Sequence, residues 1–509
     1  MSWKDLSELA PSLSEAEIRF EKKKRLVGLI LGPALFVLAL LWPPLPDVTP
    51  VGMRTLGIFL WAIVWWVTEP VPIPATSLFA LALLVVCGVL SVEGAFAYWA
   101  NWVNIFFIGA FMIAHAMGVH GLPRRLAYRM MASPLLAGSP WRLLVAFGLG
   151  TALLSSVLSN VATTIIFLSI AMGLAEALNF PRESRYGEAL FISIAWGAGM
   201  GGMITPVGCP PNAIAIGMLR ERLDYRVGFL PWIEVGLPVA VVGMACMFLV
   251  LRYVLRPQMQ GWKVSTGFAE EALAKLGPLT RGEKITAGAL ACAIFLWMLP
   301  DLVRLTLPGN PVPWLYARFD WSVTAILVAT SLFLIPVDWQ KRQFVLTWGE
   351  AVKGVDWGTL SLIAAALALG NVIADRNLGL GRFFEQSLSS LATPGSSHTL
   401  LIVAFVVFTI FLTNLASNNA VVSMSAALAL AVAPTTGMNP VALTVTVALA
   451  SSMAFSLPIS TPPNAIVFAS GQVRSGAMAK GGIVLSLLST LLLLLVGFEL
   501  ASWMFPWAG

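Results

Sequence analysis

Charge is scarce in this sequence. Asp, Glu, Lys and Arg make up 11% of its 509 residues, against about 25% in soluble domains, which excludes an ordinary soluble fold. Histidine occurs three times and cysteine four. Cys87, Cys209, Cys246 and Cys292 have none of the close spacings of a zinc site and suggest no disulfide framework; all but Cys209 read as core packing. What the chain has instead is apolar surface: 58% hydrophobic residues and 19 Trp, with a mean hydropathy of +0.84. This is the composition of an all-α polytopic membrane protein in a lipid bilayer. Its net charge of +6 does not point to nucleic acid, because the basic residues cluster at the ends of apolar spans, where they orient the chain.

Residues 1–25 are polar and end in Glu21-Lys22-Lys23-Lys24-Arg25. The apolar run Leu26 to Trp42 leads into Pro43-Pro44 rather than a small-residue cleavage site, so it reads as a retained first span with a cytoplasmic N-terminus. Spans at about Val51 to Thr68, Ile73 to Val92 and Val103 to Val119 follow, and Arg124, Arg125, Arg129 and Arg142 place residues 120–142 inside. Segment 143–178 is long enough for almost two crossings at ~20 residues each. Both its ends are basic, the far one at Arg182 and Arg185, so it reads as a re-entrant hairpin. Residues 188–219 then cross with a break at Thr205 to Pro211, where proline removes a backbone donor and glycine relaxes the helix. That crossing puts Arg220, Arg222 and Arg226 outside, against the positive-inside rule. Val235 to Val254 returns to a basic linker at 256–284, which divides a first half (26–255) from a second (285–509). The second half has spans at Ile285 to Val303, Trp321 to Pro336 and Trp357 to Ala374, a hairpin at 400–433, a broken span at 441–471 and a last span at Leu485 to Trp503. About eleven crossings and two hairpins are expected.

The polar interruptions occur in pairs. Ser159-Asn160-Val161 at the first hairpin tip matches Ser417-Asn418-Asn419 at the second, and Cys209-Pro210-Pro211-Asn212-Ala213-Ile214 matches Thr461-Pro462-Pro463-Asn464-Ala465-Ile466. Asn160 and Asn418 lie 258 positions apart, Asn212 and Asn464 252, and Trp102 and Trp357 255. This near-constant register argues for a duplication. The first hairpin enters from inside and the second from outside, so the repeats are inverted, a pattern of secondary transporters that bind substrate and ions near the midplane.

Such breaks expose half-helix N-termini, whose free N–H groups suit an anion, and carbonyls that together with Ser, Thr and Asn oxygens suit a hard cation such as sodium. The alternative is that Ser and Asn at a tip only satisfy turning backbone; two matched tips with two matched breaks weigh against it. The knots contain no His, Asp, Glu or Lys, so an intramembrane enzyme has no acid, base or metal cluster to use. His115 and His120 read as interfacial residues, with a proton relay as the alternative. Asp356 and Asp375 read as local ion pairs or solvated span ends, and the Trp-rich stretches as an aromatic belt.

Together with Trp65-Trp66-Val67-Thr68-Glu69-Pro70-Val71-Pro72, these motifs resemble the divalent anion/sodium symporter family from about Leu26 to Trp503. The resemblance implies a homodimer with a fixed scaffold domain and a transport domain that slides as an elevator. It also implies sodium-coupled uptake of a small divalent anion through a cell membrane, with sodium-independent anion exchange as the alternative. It places one sodium at Ser155, Ser159, Asn160 and the backbone of Gly208, and a second at Thr413, Ala416, Asn418 and the backbone of Ser460. Substrate contacts then fall on Asn160, Val161, Cys209, Ser417, Asn418, Asn419 and Thr461. Three of these depart from the family pattern of Ser-Asn-Thr tips. Val161 removes a hydroxyl, Asn419 substitutes a larger amide, and Cys209 stands where a small hydroxyl residue is common. Because a site built to hydrogen-bond one group rejects analogues that lack it, the cargo is less legible than the mechanism.

Overall fold

A computed structural model describes residues 15–136, 138–177, 184–258, 267–307, 313–373, 375–380, 382–383, 397–434 and 436–507. Leu178, Arg182, Lys263 and Ala374, and the N-terminal segment before residue 15, lie outside the described residues. The first half runs α1 (Glu15–Leu41), α2 (Pro50–Thr68), α3 (Ile73–Val86), α4 (Trp102–Val119), α5 (Leu122–Met131), α6 (Pro140–Ser155), α7 (Asn160–Ala177), α8 (Arg185–Gly202), α9 (Pro210–Leu223) and α10 (Phe229–Val250). The second runs α11 (Gly267–Leu276), α12 (Arg281–Thr306), α13 (Trp321–Ser331), α14 (Trp348–Gly354), α15 (Trp357–Ile373), α16 (Ser397–Thr413), α17 (Asn418–Val432), α18 (Pro440–Ser451), α19 (Pro462–Ala469) and α20 (Ser475–Leu492). The described strands are one small pair, β1 (Pro336–Asp338) antiparallel to β2 (Gln343–Phe344).

Lipid offers the backbone no hydrogen bonds, so apolar runs resolve as helices. Six described stretches are long and apolar enough to cross a membrane alone: 18–41, 50–68, 92–119, 229–255, 281–306 and 475–504. Seven shorter apolar helices include both helices of each hairpin and α18. They are short because the sequence breaks them. α8 stops at Gly202 and resumes as α9 only at Pro210, and α18 stops at Ser451 before α19 starts at Pro462. Proline fits the first turn of a helix but not its interior.

α1 to α4 form one group with α12, α13 and α15, and α6 to α10 another with α16 to α20; α15 also packs against α9 and α17 and so joins the two. α8 and α18, buried on almost every side, lie at the centre of the second group. Close approach there depends on glycine: a Cβ on Gly197 or Gly201 would strike the backbone of Gly148 or Ala152 on α6. Small residues let helices meet in this way.

Several expectations shift. α1 begins before the basic cluster, with Glu21 bridging to Lys24 at 2.9 Å one turn on. The crossing expected to reach Pro336 is helical only to Ser331. The 256–284 linker is docked, since the buried Arg125 of α5 pairs with Glu283 at 2.6 Å and donates to the carbonyls of Leu276, Gly277 and Pro278. Cys292 is exposed on α12 rather than packed in a core, as an apolar face turned to lipid permits. Trp66 is core rather than belt: it is 1% exposed and donates to Ser77 Oγ at 3.1 Å. The charged residues in the last turn of α9 also have partners. Arg220 pairs with Asp320 at 2.8 Å over the Trp102 ring, Glu221 accepts from Asn101 at 3.0 Å, and Arg222 donates to the Asn371 carbonyl at 3.3 Å. Held this way, they are fastened to other helices, which eases their conflict with the positive-inside rule.

Candidate functional site

At the first tip α6 ends at Ser155 and α7 starts at Asn160, where Ser159 Oγ caps the new helix by accepting from Ala162 N at 3.2 Å. At the second, α16 ends at Thr413 and α17 starts at Asn418. The same hydroxyl-to-amide contact occurs at both. Ser155 Oγ lies 2.7 Å from Asn160 Oδ1 and 2.9 Å from the Ala198 carbonyl. Thr413 Oγ1 lies 2.8 Å from Asn418 Oδ1 and 2.5 Å from the Ser451 carbonyl. A hydroxyl has one hydrogen to donate, so each group holds three oxygens together with one proton among them. Ser155 and Thr413 are fully buried. Buried oxygens short of donors are ligands for a hard cation. With each Oδ1 committed to this cluster, the Nδ2 hydrogens of Asn160 and Asn418 remain for another acceptor.

The two breaks are pinned by one device. Asn212 Nδ2 donates to the carbonyls ten and seven residues earlier, Gly202 at 2.9 Å and Thr205 at 2.8 Å. Asn464 Nδ2 does the same with Ala454 at 3.1 Å and Leu457 at 3.2 Å, at the same offsets. Asn212 Oδ1 is buried with no hydrogen-bond partner among the described residues, another oxygen without a donor beside the first tip. Gly202 has to be glycine here, since a Cβ would sit 2.6 Å from Asn160 Oδ1. Cys209 and Thr461 occupy the N-cap of α9 and α19 with nearly the same backbone, φ/ψ of −149°/150° and −139°/151°. Thr461 Oγ1 accepts from Asn464 N at 3.2 Å, whereas Cys209 makes no cap bond and its Sγ lies 3.6 Å from Ser452 Oγ.

Tips and breaks meet at one cavity of about 190 Å³. Ser159, Asn160, Val161, Gly208, Cys209, Ser417, Asn418, Asn419 and Thr461 all line it, so the N-terminal ends of α7, α9, α17 and α19 face one space. Four helix N-termini make that space favourable to an anion. Ser155, Thr413, Ala416 and Ser460 do not line the cavity and are buried. The rest of the lining includes residues of α4 and the start of α15: Phe107, Ala110, Phe111, Ala114, Asp356 and Thr359. Among the described residues no Lys, Arg or His lines it. A larger cavity of about 880 Å³ lies against Arg220, Asp301 and Asp320 and contains no tip or break residue; volume alone would select the wrong place.

Sequence reasoning missed the carbonyls of Ala198 and Ser451, which lie 14 and 13 residues before Asn212 and Asn464 but in apolar helix with no side-chain signal. It also missed Asn414. This residue accepts from Phe455 N at 3.1 Å and Ser456 N at 2.9 Å, fixing the second break to the second hairpin. An Asn beside Thr413 in an apolar run was a readable signal.

The chain matches the family described as "Sodium:sulfate symporter transmembrane region" over residues 23–507. It is 31% identical to the sodium-dependent dicarboxylate transporter SdcS of Staphylococcus saprophyticus, covering 94% of this chain and 91% of that one. It is 30% identical to the protein of the same name in Staphylococcus aureus strain USA300, over 93% and 90%. These matches span both tips, both breaks and the helices that hold them: the chain belongs to the divalent anion/sodium symporter family, a family of membrane transporters.

Proposed function

We propose that this protein couples the inward flow of sodium to uptake of a small dicarboxylate. The observation that carries this reading is the pair of buried oxygen clusters, Ser155–Asn160–Ala198 and Thr413–Asn418–Ser451, each with three oxygens and one proton. A cation at each would satisfy them. One sodium site then comprises Ser155, Ser159, Asn160 and the Gly208 backbone, and the other Thr413, Ala416, Asn418 and the Ser460 backbone, with the Ala198 and Ser451 carbonyls added to the two sets.

The anion sits between the tips, held by Asn160, Ser417, Asn418, Asn419 and Thr461 and by helix N-termini, with Val161 and Cys209 shaping the rest. A cavity of about 190 Å³ is smaller than the about 300–1,000 Å³ of drug-sized sites, which suits a short-chain dianion. With no basic side chain in the lining, a dianion gains neutralising charge only from cations bound beside it. That requirement favours symport over sodium-independent exchange. The relatives named as sodium-dependent dicarboxylate transporters support the same reading.

The matched hydroxyl, amide and carbonyl contacts support inverted repeats at 26–255 and 285–509, with hairpins 143–178 and 400–433 and broken helices 188–219 and 441–471. The six long stretches, together with α3, α13, α15 and the two broken helices, make up the about eleven crossings, and the hairpins add none. In this scheme α1 to α4, α12, α13 and α15 form the scaffold of a homodimer, and the hairpins and broken helices form the sliding elevator. The protein lies in a cell membrane with residues 1–25 and the 256–284 linker in the cytoplasm. Uptake of labelled succinate into proteoliposomes tests the core of this proposal. Sodium outside should drive accumulation and choline should not; equal uptake in both would sink it.

A further inference from the structure

Among the described residues the cavity lining contains one carboxylate. Asp356 lies just before α15, in the part of the lining that α4 and α15 supply. It is exposed, and both oxygens are engaged by one neighbour: Oδ1 accepts from Thr359 N at 3.0 Å and Oδ2 from Thr359 Oγ1 at 2.6 Å. Thr359 lines the cavity too. Among the described residues Asp356 has no ion-pair partner. Capping α15 accounts for an Asp at this position, but Asn or Ser caps a helix about as well without charge. An oriented carboxylate without a counter-ion among the described residues, in the lining of an otherwise neutral cavity, acts on whatever charge the cargo carries on that side.

We infer that Asp356 is a specificity-determining residue that reads the substituent the cargo presents toward the start of α15, disfavouring a third carboxylate and favouring a protonated amine. The inference rests on the dicarboxylate reading above and adds a substrate class to it: four-carbon dicarboxylates, plain or amino-substituted, over tricarboxylates. Two unit charges about 7 Å apart change an equilibrium about 3-fold in a water-like dielectric and about 50-fold at an effective dielectric constant near 20. An exposed carboxylate belongs toward the lower end of that range.

The test compares wild type, Asp356→Asn and Asp356→Glu in proteoliposomes. The readout is kcat/KM for sodium-driven uptake of succinate, aspartate and tricarballylate, the last two differing from simple dicarboxylates by an amine or a third carboxylate. Asn keeps the capping oxygen, so the protein should fold. In Asp356→Asn the tricarballylate-to-succinate ratio should rise at least about 3-fold and the aspartate-to-succinate ratio should fall by a similar factor. Asp356→Glu should retain the wild-type order. If Asp356→Asn moves all three rates by one factor, or none, Asp356 only caps α15 and the inference is overturned while the function stands. If wild type takes up none of the three with sodium, the functional reading fails and takes this inference with it.

Discussion

Ser155 and Thr413 occupy equivalent positions and carry equivalent chemistry. Each offers one hydroxyl hydrogen to two oxygens, and each is fully buried. In each cluster one hydroxyl hydrogen is shared between two acceptor oxygens, and a buried oxygen left short of donors costs about 1–3 kcal/mol. Removing the hydroxyl takes a ligand from the cation and leaves the carbonyl alone. Ser155→Ala and Thr413→Val should therefore each raise the sodium concentration for half-maximal uptake at least about tenfold, equivalent to about 1.4 kcal/mol, and Asn160→Ala and Asn418→Ala should abolish transport. A sodium titration of uptake checks both. An unchanged half-saturation in either hydroxyl variant would remove that residue from the ion site.

At the scale of elements, the two broken helices differ in how their second halves start. Thr461 caps α19 and Cys209 leaves α9 uncapped by any side chain, although the two residues share a backbone conformation. Side-chain caps contribute about 1 kcal/mol. Cys209→Thr should give α9 the bond that α19 already has and raise apparent stability by about that amount. Thr461→Ala should lower it by as much. Thermal unfolding in detergent with sodium held constant separates the outcomes, and a destabilised Cys209→Thr would mean that the hydroxyl cannot reach Asn212 N. Cys209 also lines the cavity, so on the proposed function this stabilising change should alter substrate preference as well.

Across the whole molecule, Arg220, Glu221 and Arg222 at the end of α9 fasten to Asp320, Asn101 and Asn371. These partners lie by α13, α4 and α15, the helices proposed as scaffold. If α9 travels with the elevator, those contacts break in each cycle. Asp320→Ala should therefore favour the opposite orientation. In a cysteine-free background carrying Val161→Cys, it should raise labelling by a membrane-impermeant thiol reagent from the side opposite the one that labels the intact clasp. The charge-reversed pair Arg220→Asp with Asp320→Arg should restore the original sidedness. Labelling unmoved by Asp320→Ala would show that the pair does not span moving parts.

The sequence alone determined the membrane class, the two tips, the two breaks and the family, because each depends on local chemistry: apolar length, proline in a helix path, and Ser or Asn where none should interrupt. Val161, Asn419 and Cys209 stand out only against the pattern of the family the sequence resembles. Only tertiary structure decided that Ala198 and Ser451 lend carbonyls, since a backbone oxygen has no letter in the sequence. Asp356 needed it too: it sits at a span end in the sequence, and its place in the cavity lining depends on α15 packing against α4 and against α17 of the second hairpin. The polar interruption at Ser159 to Val161 thus points to the kind of candidate site, while the packing of distant helices determines which oxygens and which carboxylate stand beside it.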